Sequence, residues 1–182
     1  KNEVMKKYSV KLDLGIDVAA SSFFTNKKYR YNLEKEKIVL EREQQISYIA
    51  NIIKKYCLLY IEDPLEENDF SGFTKLRKIT GKNTLIVGDD LTVSSLERLK
   101  KAIKEKSING IIVKPNQNGS LLQIKQLIEL AKKHNIKTIM SHRSGETLDN
   151  TIADLAFAWQ CDYIKTGISG KERESKIKRL IE

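Results

Sequence analysis

Short apolar runs recur along the chain, and each stops abruptly at a charged or titratable residue. Lys11 to Ala20, with Leu14, Ile16 and Val18, carries Asp17 near its end, and Cys57 to Ile61 ends in Glu62. Thr84 to Val87 ends in Gly88-Asp89, and Gly110 to Val113 in Lys114. Lys137 to Met140 is followed by Ser141-His142, and Tyr163-Ile164 by Lys165. Continuously apolar strands need cover on both faces, which a parallel sheet layered with helices provides.

The segments between the runs have helical spacing. Glu43 to Tyr56 places Ile46, Ile49, Ile52 and Ile53 on one stripe. Phe73 to Ile79, Ser95 to Lys106 with Ser94 or Ser95 as N-cap, Leu121 to Lys133 and Thr147 to Gln160 read as further helices, and a basic amphipathic helix closes the chain. Only the first interval breaks the pattern. There the Tyr29, Tyr31, Leu33 alternation and Ile38-Val39-Leu40 predict a β-hairpin inserted over residues 27–41. After it, one strand and one helix alternate evenly to the end. That evenness favours a TIM-like (β/α) barrel with about six of the usual eight units over an open doubly wound sheet. In such a barrel all the strand tips open on one face, where active sites are built.

A chain of 182 residues suffices for one domain, and 40% apolar with 31% charged residues describes a globular protein. No run reaches the length of a membrane span, and the N-terminus carries no signal-peptide core. Cys57 and Cys161 have no CxxC partner and read as reduced, so the cytoplasm is the expected location. The net charge of +9 is spread over helix faces without a zinc pattern, RNP motif or basic tail. Neither a nucleic acid nor a membrane is therefore the expected partner, although a positive field helps steer an anionic small molecule. The chain opens at Lys1 and enters a strand-like segment almost at once, so the expectation is a piece of a longer polypeptide.

Three tips are carboxylates: Asp17, Glu62 and Asp89. With no thiolate nearby, such a trio suits a hard, oxygen-seeking cation, magnesium first, and Asp90 is placed to orient a ligand. The plainer alternative is three acids that cap helices or form ion pairs. Lys114 and Lys165 complete the rim. A partly desolvated lysine beside a divalent cation has its ammonium disfavoured and can act as a base, whereas one paired with acids cannot. The stretch Ser141-His142-Arg143-Ser144-Gly145-Glu146-Thr147 joins a planar donor fork, a hydroxyl and a free backbone, which suits a phosphate or carboxylate. Together these groups point to proton abstraction beside the carboxylate of a phosphorylated small molecule.

Several motifs resemble those of enolases. They are Gly15 through Phe23, Ile61-Glu62-Asp63-Pro64, Gly88 through Val93, Val113-Lys114-Pro115-Asn116-Gln117, Ser141 through Thr147, Ile164-Lys165-Thr166-Gly167, Glu172-Arg173 and Arg179 through Glu182. They run in family order, and the Lys-Pro-Asn-Gln form looks most like archaeal members. The resemblance implies the C-terminal portion of an enolase-type barrel, without the N-terminal capping domain. It also implies reversible, magnesium-dependent dehydration of 2-phospho-D-glycerate to phosphoenolpyruvate in glycolysis and gluconeogenesis. By the same resemblance Asp17, Glu62 and Asp89 match the magnesium ligands, Lys114 the base and Lys165 the lysine at the substrate carboxylate. Arg143 and Ser144 match the phosphate contacts, beside Ser141 and His142, and Glu62 and Asp89 also border the substrate. The implied partners are the missing N-terminal portion of the same enzyme, with its acid groups, and further copies of the complete chain. Two other readings stay open, namely a catalytically silent enolase-like interaction module and another enolase-superfamily lyase.

Overall fold

The computed structural model describes residues 1–32 and 36–182. Residues 33–35, within the expected hairpin, lie outside the described residues. A short helix, α1 (Asn2–Tyr8), precedes β1 (Leu14–Asp17). Next comes a small antiparallel sheet of β2 (Phe24–Thr25), β3 (Lys28–Asn32) and β4 (Lys37–Leu40). Helix and strand then alternate through α2 (Arg42–Tyr56), β5 (Leu58–Glu62), α3 (Phe70–Thr80), β6 (Leu85–Gly88), α4 (Leu96–Glu105) and β7 (Gly110–Val113). The chain finishes with α5 (Leu121–Lys133), β8 (Lys137–Ser141), α6 (Thr151–Ala158), β9 (Tyr163–Lys165) and α7 (Lys171–Ile181).

The six long-range strands pair in parallel in the order β1-β5-β6-β7-β8-β9. Register aligns Asp17 with Glu62 and Ser141 with Lys165, so neighbouring tips end level. The sheet is strongly curled. Lys165 on one edge strand reaches Asp17 on the other at 2.9 Å, which a flat six-stranded sheet would forbid. The architecture is α/β, a parallel half-barrel of the (β/α) type.

Two apolar layers hold it. On the helix side Ile61, Ile86, Ile111 and Val113 pack against Ile46, Phe73, Leu99 and Leu127. On the concave side Val87, Ile112 and Ile139 meet Tyr60 and Leu85. Each fully buried Ile, Leu or Phe side chain contributes roughly 1.5–3 kcal/mol. Gly15 is required on the concave face, because a Cβ there would stand 2.9 Å from the Cβ of Tyr60. Among the described residues both edge strands remain open, and Leu14, Ile16 and Tyr163 are exposed.

Helix boundaries follow local hydrogen bonds more than apolar spacing. Asp69 caps α3 by accepting from the Gly72 amide at 2.8 Å, so that helix begins at Phe70, before the expected Phe73. Ser95, not Ser94, caps α4. The helix expected from Thr147 begins only at Thr151, because the Thr147 carbonyl accepts from Lys176 and the Asp149 carboxylate takes the Thr151 amide at 2.9 Å. Among the described residues no helix is long and apolar enough to cross a membrane.

Candidate active site

The six tips converge at the C-terminal ends of the parallel strands. Lys165 sits between two acids. Its Nζ donates to Asp17 Oδ2 at 2.9 Å and to both Glu62 oxygens at 2.8 Å. Glu62 is buried, and Tyr60 also donates its hydroxyl to Glu62 Oε2. Burial raises the Glu62 carboxyl above the ordinary range, against the pull of Lys165 and Tyr60. Burial would lower the Lys165 ammonium, but its bonds to Glu62 and Asp17 outweigh that and keep it charged.

Lys114 lies on the next group, its Nζ 2.5 Å from Asp89 Oδ2. Its backbone is clamped, since the Lys114 amide donates to Ser94 Oγ at 2.9 Å and Ser94 Oγ donates to Gln117 Oε1 at 2.7 Å. The loop that supplies Ser94 holds Val93 at φ 42° and Ser94 at φ 50°. A β-branched residue in the left-handed region is strained, and here the strain lies beside the rim. Asp63 fixes the same loop from below. Its two oxygens accept from the Asp89 amide at 3.0 Å and the Asp90 amide at 2.7 Å. Burial pushes the Asp63 carboxyl up to about 7, although both amides oppose the shift.

The expected acid trio is thus divided. Asp17 and Glu62 meet through Lys165, whereas Asp89 forms the tightest acidic group among the described residues with Asp63 and Asp90, their oxygens within 4.8 Å. Within that group Asp63 is committed to amides. Asp89 Oδ1 is buried and accepts no hydrogen bond from the described residues. An orphaned, buried carboxylate oxygen on an acidic rim fits a hard divalent cation.

Across the rim lies the polar loop after β8. Ser141 is buried at the strand end, and the His142 amide donates to Lys165 O at 2.9 Å. Neither the Arg143 guanidinium nor the Ser144 hydroxyl bonds to a described residue, so both remain available to an anion. Spacing alone did not single out Tyr60 or Lys176, and Ser94 entered only as an N-cap candidate. Asp63 and Arg173 entered only as neighbours within longer motifs. The one signal that was present is basic residues on the inner stripe of the closing helix, where apolar ones belong.

A concave cleft of about 340 Å³ runs below the rim between Gly15, Asp17, Tyr60, Ile139, Tyr163 and Lys165. A larger cavity of about 520 Å³ lies among Asp13, Lys54, Cys57 and Thr84, near the opposite strand ends. It contains none of the rim residues.

Over residues 3–182 the chain matches the family described as enolase, C-terminal TIM barrel domain. It is 42% identical over 180 residues to the enolase of Methanocorpusculum labreanum, covering 98% of this chain and 45% of that protein. It is 47% identical over 176 residues to the enolase of Sulfurisphaera tokodaii, covering 96% and 41% respectively. With the enolase of Methanosphaera stadtmanae the identity is 44% over 179 residues, covering 98% and 43%. The chain therefore spans less than half the length of the curated relatives it matches.

Proposed function

The chain belongs to the enolase family through its C-terminal barrel domain, and from that premise we propose that it carries the metal-, base- and phosphate-binding half of a hydro-lyase. The reaction is the reversible dehydration of 2-phospho-D-glycerate to phosphoenolpyruvate. The observation that carries this reading is the opposition of two carboxylate-bound lysines, Lys114 and Lys165, to the uncommitted Arg143 and Ser144 on one rim. A magnesium ion held by Asp17, Glu62 and Asp89, with Asp89 Oδ1 as the free oxygen, would supply positive charge for the substrate carboxylate and disfavour a neighbouring ammonium.

Arg143 offers the substrate phosphate a two-pronged donor, and the Ser144 hydroxyl adds a third bond. Ser141 and His142 border that anion. Lys114 removes the C2 proton, its backbone held by the Ser94 clamp. Lys165 faces the carboxylate as the second negative charge builds there. Departure of the C3 hydroxyl needs a positioned acid, which this reading assigns to residues outside the chain.

The test is isotope exchange. In the complete enzyme, Lys114→Ala is expected to abolish solvent exchange of the C2 proton while leaving magnesium affinity within about twofold. Normal exchange would assign the base elsewhere. Binding of 2-phosphoglycerate by the wild type without exchange or turnover would replace this reading with a silent interaction module.

A further inference from the structure

The closing helix α7 runs against the loop that carries Arg143 and Ser144, and two of its basic residues enter that loop. Arg173 donates to Arg143 O at 2.9 Å and to Ser144 O at 3.1 Å, and its Nη1 also contacts His142 Nδ1. One turn on, Lys176 is fully buried, an uncommon place for a lysine. Its Nζ lies 2.9 Å from Glu146 Oε2 and donates to Thr147 O. Glu146 in turn accepts from the Arg143 amide at 2.9 Å. The loop carbonyls of Arg143, Ser144 and Thr147 and the Arg143 amide are thus all held from α7, directly or through Glu146. Gly167, at φ +75°, turns the chain beside Arg173 and His142 in a backbone conformation that side chains rarely adopt.

The contact with His142 has a chemical consequence. A guanidinium can only donate, so Nδ1 must be the accepting nitrogen and the ring proton must reside on Nε2. Burial and the Arg173 charge both pull the imidazolium below its ordinary range, which agrees with a neutral ring. Lys114 and Lys165 also act on this ring, so it lies within electrostatic reach of both rim lysines.

We propose that Arg173 and Lys176 are positioning residues: Lys176, through Glu146, holds the Arg143-Ser144 loop in its anion-binding form, and Arg173 fixes His142 as the Nε2–H tautomer, so that the ring presents a donor to the bound anion. This rests on reading that loop as the phosphate site. The device explains why Lys176 is the one buried residue of α7 and why Arg173 lies half-buried beside it. It converts α7 from a covering element into part of the site, acting through the loop it holds.

The test uses the complete enzyme labelled with nitrogen-15 at histidine, with His142→Gln identifying the resonances by difference. Imidazole nitrogen shifts at neutral pH should report a proton on Nε2 and a bare Nδ1 for His142, and Arg173→Met should erase that preference. The same variant should raise KM for 2-phosphoglycerate about tenfold or more with a smaller change in kcat, and Arg173→Lys, which keeps one donor, should recover part of it. Lys176→Met leaves the partly buried Glu146 without its cation and can fail to fold. The neutral pair Lys176→Met with Glu146→Gln guards against that, and should fold with inorganic phosphate affinity lowered about tenfold. A wild-type His142 found as the Nδ1–H tautomer or the imidazolium would overturn the proposal, as would unchanged tautomer and KM in Arg173→Met, or unchanged phosphate affinity in the neutral pair. Absence of wild-type turnover would instead strike the functional reading, because the tautomer and phosphate measurements need no catalysis.

Discussion

At the scale of single residues, Asp63 shows how the rim is held together. It occupies φ 41°, and that left-handed turn sends its carboxylate sideways, away from Glu62 and onto the amides beyond β6. Asp63→Asn keeps one acceptor but turns a donor toward the partly buried Asp90 amide. The expected cost is about 1–3 kcal/mol, read as a lower urea midpoint. An unchanged midpoint would mean that water satisfies that amide. The positions of the rim residues were legible in the sequence, because a strand end is marked by the change from apolar to charged. Their partners were not. Asp17, Glu62 and Asp89 share a residue class and a place on the rim, yet two face Lys165 and one faces Lys114. Sheet curl decides that division, and no local pattern records it.

At the scale of elements, the link between α2 and α3 offers a measurement that depends on pH. Asp69 caps α3 and also accepts from Arg42 Nε at 2.7 Å and Nη2 at 2.8 Å. Burial would raise its carboxyl, but Arg42 and the Gly72 amide outweigh it and hold the carboxyl below the ordinary range. A carboxyl lowered by folding stabilises the protein fully above its unfolded value of about 3.9, and that share disappears as pH falls through the folded value. Arg42 is 40% exposed, so water screens the pair, and about 1–2 kcal/mol remains, mostly from the cap. The stability gap between wild type and Asp69→Ala should therefore be about that size at neutral pH and close in acid. A gap that persists unchanged below the folded value would mean that packing, not charge, is lost. The same cap accounts for the early start of α3. The alternating strands and the central helices were readable because apolar spacing dominates there. The starts of α3 and α6 were not, since each depends on a side chain whose partner the spacing does not reveal. Helix α1 buries none of its residues and so leaves no apolar stripe to read.

At the scale of the whole molecule, the open edges of the sheet and the division of chemistry lead to one expectation. Among the described residues β1 and β9 each pair on one side only, and Leu14, Ile16 and Tyr163 on these two strands are exposed. Unpaired parallel edges leave backbone donors and acceptors without partners along an apolar wall, a surface that tends to associate. The rim's own chemistry is equally one-sided. Lys114 and Lys165 are engaged with carboxylates, and hydroxide is a poor leaving group unless a positioned acid protonates it. The 182 residues purified alone should therefore give no phosphoenolpyruvate from 2-phosphoglycerate and magnesium, once intact mass has confirmed the polypeptide. Supplying in trans the region that precedes this domain in its relatives should restore turnover, because the added strands cover both edges and bring the acid. The order of effects matters: Lys114-dependent C2 exchange should return with the added region, and Lys114→Ala in the reassembled pair should abolish it again. Rapid turnover by the 182 residues alone would show that this half-barrel contains its own acid, and the assignment of that role to an upstream residue would fall.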